Sequence, residues 1–211
     1  MQHWVEQFIE GIKNTSTLEY VAVVAGIASV WFSKKENILV YPVGLINTII
    51  YVYLSFKFHL IGEAGVNFYY TVMSVYGWIL WAKKDGARPA LPVTFSTGAE
   101  WIRQGLFFIV IYVVIFLLLL YLKEFFYEGA IPWADALASA TAFTGMYLMA
   151  KKKVESWWWW VATNIASIPL YFVKGLVVTS MYYLVLLLLA IFGLLAWTKK
   201  ARPAPQIIEL H

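Results

Sequence analysis

Apolar positions along this chain neither alternate nor recur on one helical stripe; they run in blocks. Seven blocks, at 18–32, 38–56, 65–82, 104–122, 136–150, 157–173 and 176–198, are separated by short segments that hold nearly all the charge. Blocks of this size match a hydrocarbon core about 30 Å thick, so the pattern predicts seven transmembrane helices. The first, fifth and sixth are short or interrupted by Gly and Pro, which leaves their ends loosely defined. The fourth is the cleanest, since 105–122 carries no polar side chain except tyrosine hydroxyls, as suits a helix facing lipid on most sides.

The flanking charges order these spans. Alternate loops hold Lys34, Lys35, Lys83, Lys84, Arg88, Arg103, Lys151, Lys152, Lys153, Lys199, Lys200 and Arg202 on one side, and Lys13, Lys57, Lys123 and Lys174 on the other. Positive charge marks the cytoplasmic side, which predicts an outside N-terminus and a cytoplasmic C-terminus. An odd span count requires such opposite ends.

An internal repeat adds a constraint. The third block ends Tyr76-Gly77-Trp78-Ile79-Leu80-Trp81-Ala82-Lys83-Lys84, and the seventh ends Phe192-Gly193-Leu194-Leu195-Ala196-Trp197-Thr198-Lys199-Lys200, with both glycines, both tryptophans and both lysine pairs 116 residues apart. At a separation of 117, Lys34-Lys35 falls on Lys151-Lys152 and Asn47 on Asn164. Aromatic-Gly and Trp-x-Lys-Lys are also ordinary membrane-exit signals, but an asparagine in mid-span is not. A three-helix unit leaves the membrane opposite its entry, so a parallel second copy needs one intervening span, and the fourth block supplies it. The expected fold is all-α: two parallel three-helix bundles at 18–84 and 131–200 joined by a linker helix within 85–130 (3+1+3), preceded by an interfacial segment at 1–17 and followed by a tail at 201–211. Such repeats are associated with transporters whose substrate sits between them.

Composition narrows the function. Of 211 residues, 62% are hydrophobic and 13% charged, with 11 Trp and no Cys; a soluble domain carries about 25% charge. Thiolate metal sites and disulfides are excluded. Asp, Glu, Lys and Arg sit at span ends, which disfavours proton- or sodium-coupled pumping. There is no Gly-rich phosphate loop and no hydrolase or metalloprotease motif, so no cofactor and no catalytic residue is expected. Passive, substrate-driven translocation remains.

Candidate ligand contacts concentrate in the sixth block. Trp157, Trp160, Asn164, Ile168 and Tyr171 share a helical face. Indole faces attract cations by about 2 kcal/mol or more once desolvated, and a carboxamide in hydrocarbon must be paired. An interfacial aromatic belt accounts equally for Trp158 and Trp159, and competes for Trp157. Asn164, and its echo Asn47, read either as ligand contacts or as interhelical hydrogen bonds. Asn67, Thr71, Ser74 and Trp78 share a face of the third span, while Thr179, Ser180, Tyr182 and Tyr183 are the polar positions of the seventh; each set also reads as helix ties. Gly44, Pro42 and Pro169 mark hinges or kinks.

Trp157, Trp160 and Asn164 together make the pattern Trp-x-x-Trp-x-x-x-Asn. With Lys35-Glu36-Asn37, Tyr41-Pro42-Val43-Gly44, the segment from Tyr76 to Trp81 and Ser167-Ile168-Pro169-Leu170-Tyr171, the chain resembles the PnuC family of bacterial vitamin transporters from Leu18 to Lys200. That resemblance implies SWEET-type bundles and facilitated diffusion of nicotinamide riboside, trapped inside by a cytoplasmic kinase. Its sixth-span pattern places the substrate at Trp157, Trp160 and Asn164, and the polar and aromatic positions above add Asn47, Tyr182, Tyr183, Ser74, Trp78 and Asn67 as candidate contacts. One departure is local: nicotinamide riboside carriers of the family often have Gln before the tyrosine of the seventh span, and here Tyr182 precedes Tyr183. Thiamine, another flat cation, and a SWEET-like sugar uniport are the competing readings. No nucleic-acid partner is implied, and a homo-oligomer is left open.

Overall fold

The computed structural model describes residues 16–57, 61–85, 88–89, 91–126, 131–174 and 177–201. The expected N-terminal interfacial segment and C-terminal tail therefore lie almost wholly outside the described residues. Among those described, the chain forms seven helices: α1 (Thr17–Lys34), α2 (Val40–Lys57), α3 (Ile61–Ala82), α4 (Gly98–Phe126), α5 (Pro132–Ala150), α6 (Glu155–Val173) and α7 (Val177–Ala201). A minimal hairpin, β1 (Lys84–Asp85) with β2 (Arg88–Pro89), follows α3.

Local chemistry sets the helix starts. Ser16 caps α1 by accepting from the Glu19 amide at 3.2 Å. α4 opens on a reciprocal capping box, the Thr97 amide donating to Glu100 at 2.8 Å and the Glu100 amide to the Thr97 hydroxyl at 3.3 Å. That box starts α4 at Gly98, six residues before the apolar block, so the lead Trp101-Ile102-Arg103 is helical. Pro132 occupies the first turn of α5, where its missing amide costs nothing. Pro169 lies inside α6, which continues through it to Val173.

Packing follows a closed circuit. α1 packs on α2, α2 on α3, α3 on α5, α5 on α6, α6 on α7, and α7 returns to α1; α4 packs along α5 from outside this ring of six. No residue in the most apolar 18-residue stretch of α4 is buried. Leu106, Ile109, Val110, Val114, Leu117 and Tyr121 are all exposed on α4, as are Ile49, Tyr53 and Phe56 on α2 and Leu188, Phe192 and Leu195 on α7. A perimeter of this kind is stable against acyl chains and not against water. By length and composition alone, α2, α4 and α7 each qualify as membrane-crossing helices among the described residues. The others also turn large apolar side chains outward, among them Val24 of α1, Phe68 and Ile79 of α3 and Ile165 of α6.

The repeat is physical, and its register is 116. The chain leaves α1 through Glu36 and leaves α5 through Lys152, both at φ 52°, with matching turn hydrogen bonds from residues 35, 36 and 37 and from 151, 152 and 153. Tyr41 of α2 lies over Gly77 of α3, and Trp157 of α6 lies over Gly193 of α7, leaving no room for a methyl at either glycine. In this register Asn47 corresponds to Thr163, and Asn164 to Thr48. The sequence pairing of Asn47 with Asn164 is thereby corrected: one residue of shift rotates a helical side chain by about 100°, so the two asparagines face different neighbours.

Gly193→Ala is expected to lower the melting temperature of the detergent-solubilised protein by several degrees, since the methyl must displace the Trp157 ring at an overpacking cost of about 1–3 kcal/mol. Gly105→Ala, with nothing within 4 Å of the added carbon, should leave it unchanged; thermal unfolding followed by fluorescence measures both.

Candidate functional site

Residues related by the repeat meet each other along one line. Ser33 donates to the Met149 sulfur at 2.9 Å, Trp81 and Trp197 lie 6.1 Å apart, and Lys152 pairs with Glu36 at 3.5 Å. A residue touches its own counterpart where a two-fold axis passes, so these three pairs locate the pseudo-axis of the ring at its lysine-rich end. There the Trp81 indole donates to the Ala150 carbonyl and the Trp197 indole to the Ser33 carbonyl, each at 3.2 Å, tying each repeat to the other. Glu36 also pairs with Lys200 at 2.5 Å, and the Lys152 ammonium, 4% exposed, sits 4.5 Å over the Trp81 ring. Burial draws that ammonium below the ordinary lysine range, with Glu36 opposing. The ring is thus stoppered at this end by indoles packed tilted and edge-on under an ion cluster.

A second set of contacts anchors the loop beside the stopper. Glu155 accepts two bonds from the Ser96 amide, at 2.9 and 3.0 Å, and one from its hydroxyl at 2.8 Å. Thr94 and Lys153 form a parallel bridge, and Trp159 donates to Gln104 of α4 at 3.0 Å. The linker helix is therefore fastened to the second repeat.

Deeper in the ring lies an aromatic chamber. Tyr70 of α3 meets Trp160 of α6 at 6.2 Å; these helices are not neighbours in the circuit, so the contact spans the interior. Tyr69 stacks on Phe143 at 4.0 Å and donates to its carbonyl at 3.0 Å. Tyr171 stacks on Tyr183 at 5.1 Å, and Tyr183 meets Tyr182 edge-on at 5.8 Å. The Tyr182 hydroxyl and the Asn47 amide converge on Gly26, where an added methyl would stand 2.6 and 2.8 Å from them. Glycine is required there by that close approach.

The structure distributes the expected contacts unevenly. Trp160, Tyr182 and Tyr183 join the chamber wall. Asn164 is 3% exposed on α6, one turn beyond Trp160. Asn47 donates to the Ala22 carbonyl at 2.7 Å, which ties α1 to α2 beside Tyr182. Trp157, 1% exposed, belongs to the stopper, edge-on to Trp197 at 5.5 Å; its ring nitrogen and the hydroxyl of its counterpart Tyr41 are buried without partners among the described residues. Ser74 is buried within α3, Asn67 lies on the same helix near Tyr69 and Tyr70, and Trp78 is 39% exposed on the outside. Thr71 bonds Thr48 at 3.0 Å, a tie between α3 and α2, and Thr163 bonds Thr141 at 3.0 Å, a tie between α6 and α5. Sequence reasoning missed Tyr69, Tyr70, Phe143, Gly26 and Glu36; the adjacent tyrosines in mid-span, one turn from Asn67, were the available signal.

The family model described as nicotinamide mononucleotide transporter matches residues 16–199. The chain belongs to this family. The nicotinamide riboside transporter PnuC of Escherichia coli (strain K12) is 24% identical over 210 residues, spanning 90% of this chain and 88% of its own. The riboflavin/roseoflavin transporter RibM of Streptomyces davaonensis is 23% identical over 186 residues, spanning 87% and 85%. The crystal structure of the vitamin B3 transporter PnuC matches with a TM-score of 0.70 and 26% identity over 94% of this chain and 88% of that one. Family membership and the apolar perimeter agree: the protein is a multi-pass membrane transporter, as the block pattern implied.

The chain has no cysteine, so a single Met149→Cys reports on the stopper. It should react slowly with a membrane-impermeant thiol reagent, and several-fold faster when Glu36→Gln removes the anion shared by Lys152 and Lys200. An unchanged rate would mean that the ion cluster does not hold the end shut.

Proposed function

We propose that this transporter carries nicotinamide riboside down its gradient, and that a cytoplasmic kinase traps it as the charged phosphate. The observation that carries this reading is the Asn164 carboxamide, on a residue 3% exposed and one turn from Trp160. Leaving such a group unsatisfied costs about 1–3 kcal/mol. A ligand that brings a carboxamide of its own offers the matching donor and acceptor, and its pyridinium ring is drawn to the indole and phenol faces around it. The nearest ionised side chains among the described residues, such as Glu36, Lys152, Asp135 and Lys174, sit at helix ends, which leaves nothing in the chamber to couple transport to protons.

The Trp160 and Tyr70 rings stand 6.2 Å apart, centroid to centroid, and are tilted by 52°, whereas a planar ring held between two parallel faces needs about 7 Å, twice an ordinary van der Waals separation. Binding there has to turn one of the rings or part α3 from α6. We take residues 18–84 and 131–200 as the two bodies that separate, with the linker helix travelling on the second. The excess of lysine at the stoppered end supports a cytoplasmic placement of that end, with the N-terminus outside.

The similarity to RibM favours a second reading, uptake of a flavin, and thiamine offers the same flat cation as the pyridinium. Calorimetry of the purified protein against nicotinamide riboside, thiamine and riboflavin separates the three; tightest binding of either of the last two would displace the proposal. Trp160→Ala and Asn164→Ala are each expected to weaken nicotinamide riboside binding at least tenfold, about 1.4 kcal/mol, with folding retained. In proteoliposomes without kinase, labelled riboside should equilibrate and not accumulate.

A further inference from the structure

Trp160 has no counterpart in the first repeat. The residue 116 positions earlier is Gly44, and the residue it faces on α1 is Ser29, whose oxygen would lie 3.0 Å from a methyl on Gly44. In the second repeat the sizes are exchanged. The equivalent of Ser29 is Gly145 on α5, and a methyl there would lie 3.3 Å from Cδ2 and Cε2 of the Trp160 ring and 3.3 Å from Cβ of Trp159. At the same crossing, each repeat therefore sets a glycine against a larger side chain, but on opposite helices. Ser29 is held by its own bond to the Val40 carbonyl at 3.1 Å and keeps the first crossing small. Gly145 lets an indole lie back against α5, so that one side of the chamber alone carries the large ring.

We infer that Gly145 is a positioning residue that sets the depth of the Trp160 ring and with it the fit of a planar ligand; this rests on the proposed function. The physical chain is short. A contact of 3.3 Å is closer than the 3.5–4.0 Å at which carbon atoms attract. The Trp159 carbon is fixed to the α6 backbone and cannot yield, whereas the Trp160 ring can turn about its side-chain torsions. It yields by turning away from α5, into the interior where Tyr70 stands 6.2 Å off. A methyl at position 145 thus narrows the space on which ring recognition depends without touching the ligand itself.

The test is a double-mutant cycle read by ligand binding, with melting temperature measured alongside. Gly145→Ala should weaken nicotinamide riboside binding at least fivefold. In a Trp160→Leu background, where the ring is gone, the same change should alter the dissociation constant less than twofold. No loss in the parent protein, or an equal loss in both backgrounds, would overturn the inference, since Gly145 would then act on the fold and not through the ring. Should Gly145→Ala fail to fold, the double variant must still fold and bind as Trp160→Leu does; if it also unfolds, the inference is wrong. Trp160→Leu that binds as tightly as the parent would instead remove the proposed function, so the two failures are distinguishable.

Discussion

Hydrocarbon offers no hydrogen bonds, and that constraint organises this molecule. Polar side chains within the six-helix ring find partners on neighbouring helices: Asn47 on the Ala22 carbonyl, Thr71 on Thr48, Thr163 on Thr141, Ser180 on the Ile168 carbonyl. These ties are individually modest in a membrane, about 0.6 kcal/mol on average, but together they fix which face of each helix looks inward. Against so complete a pattern, the groups without partners stand out. The Tyr41 hydroxyl and Trp157 ring nitrogen lie buried at repeat-equivalent places in the stopper. Both are unsatisfied polar groups that the two repeats share at the closed end.

The repeat explains how one ring can be both symmetric and directional. At the lysine-rich end symmetry is kept, since counterparts touch counterparts and each repeat's tryptophan bonds the other's first helix. Two discrete arrangements of such a self-complementary contact, engaged and parted, are what alternating exposure of a midplane site requires. In the chamber symmetry is broken: Trp160 stands where the first repeat has Gly44, and Tyr183 where it has Asn67. A ligand with one aromatic end and one polar end needs such unlike walls. The linker helix breaks symmetry again, because Gln104, Ser96 and Thr94 fasten to the second repeat.

Much of this was legible in the chain itself. The apolar blocks at the period of a bilayer, the alternation of lysine between loops, and the matched Gly-x-x-x-Trp endings determined the helix count and the repeat, because each is a local consequence of solvent and of helix termini. Trp160, Tyr182 and Tyr183 were identifiable as unusual side chains for mid-span positions. Tertiary structure alone decided the rest. Register at the α2 and α6 starts turned on single turn residues, Glu36 and Lys152, and so moved Asn47 off Asn164. Which helices close the ring determined that Trp157 is a stopper residue while Trp160 faces Tyr70, although the two lie one turn apart. The importance of Gly26 and Gly145 is invisible in one dimension, because a glycine's meaning lies in what stands opposite it, and only packing brings that neighbour into place.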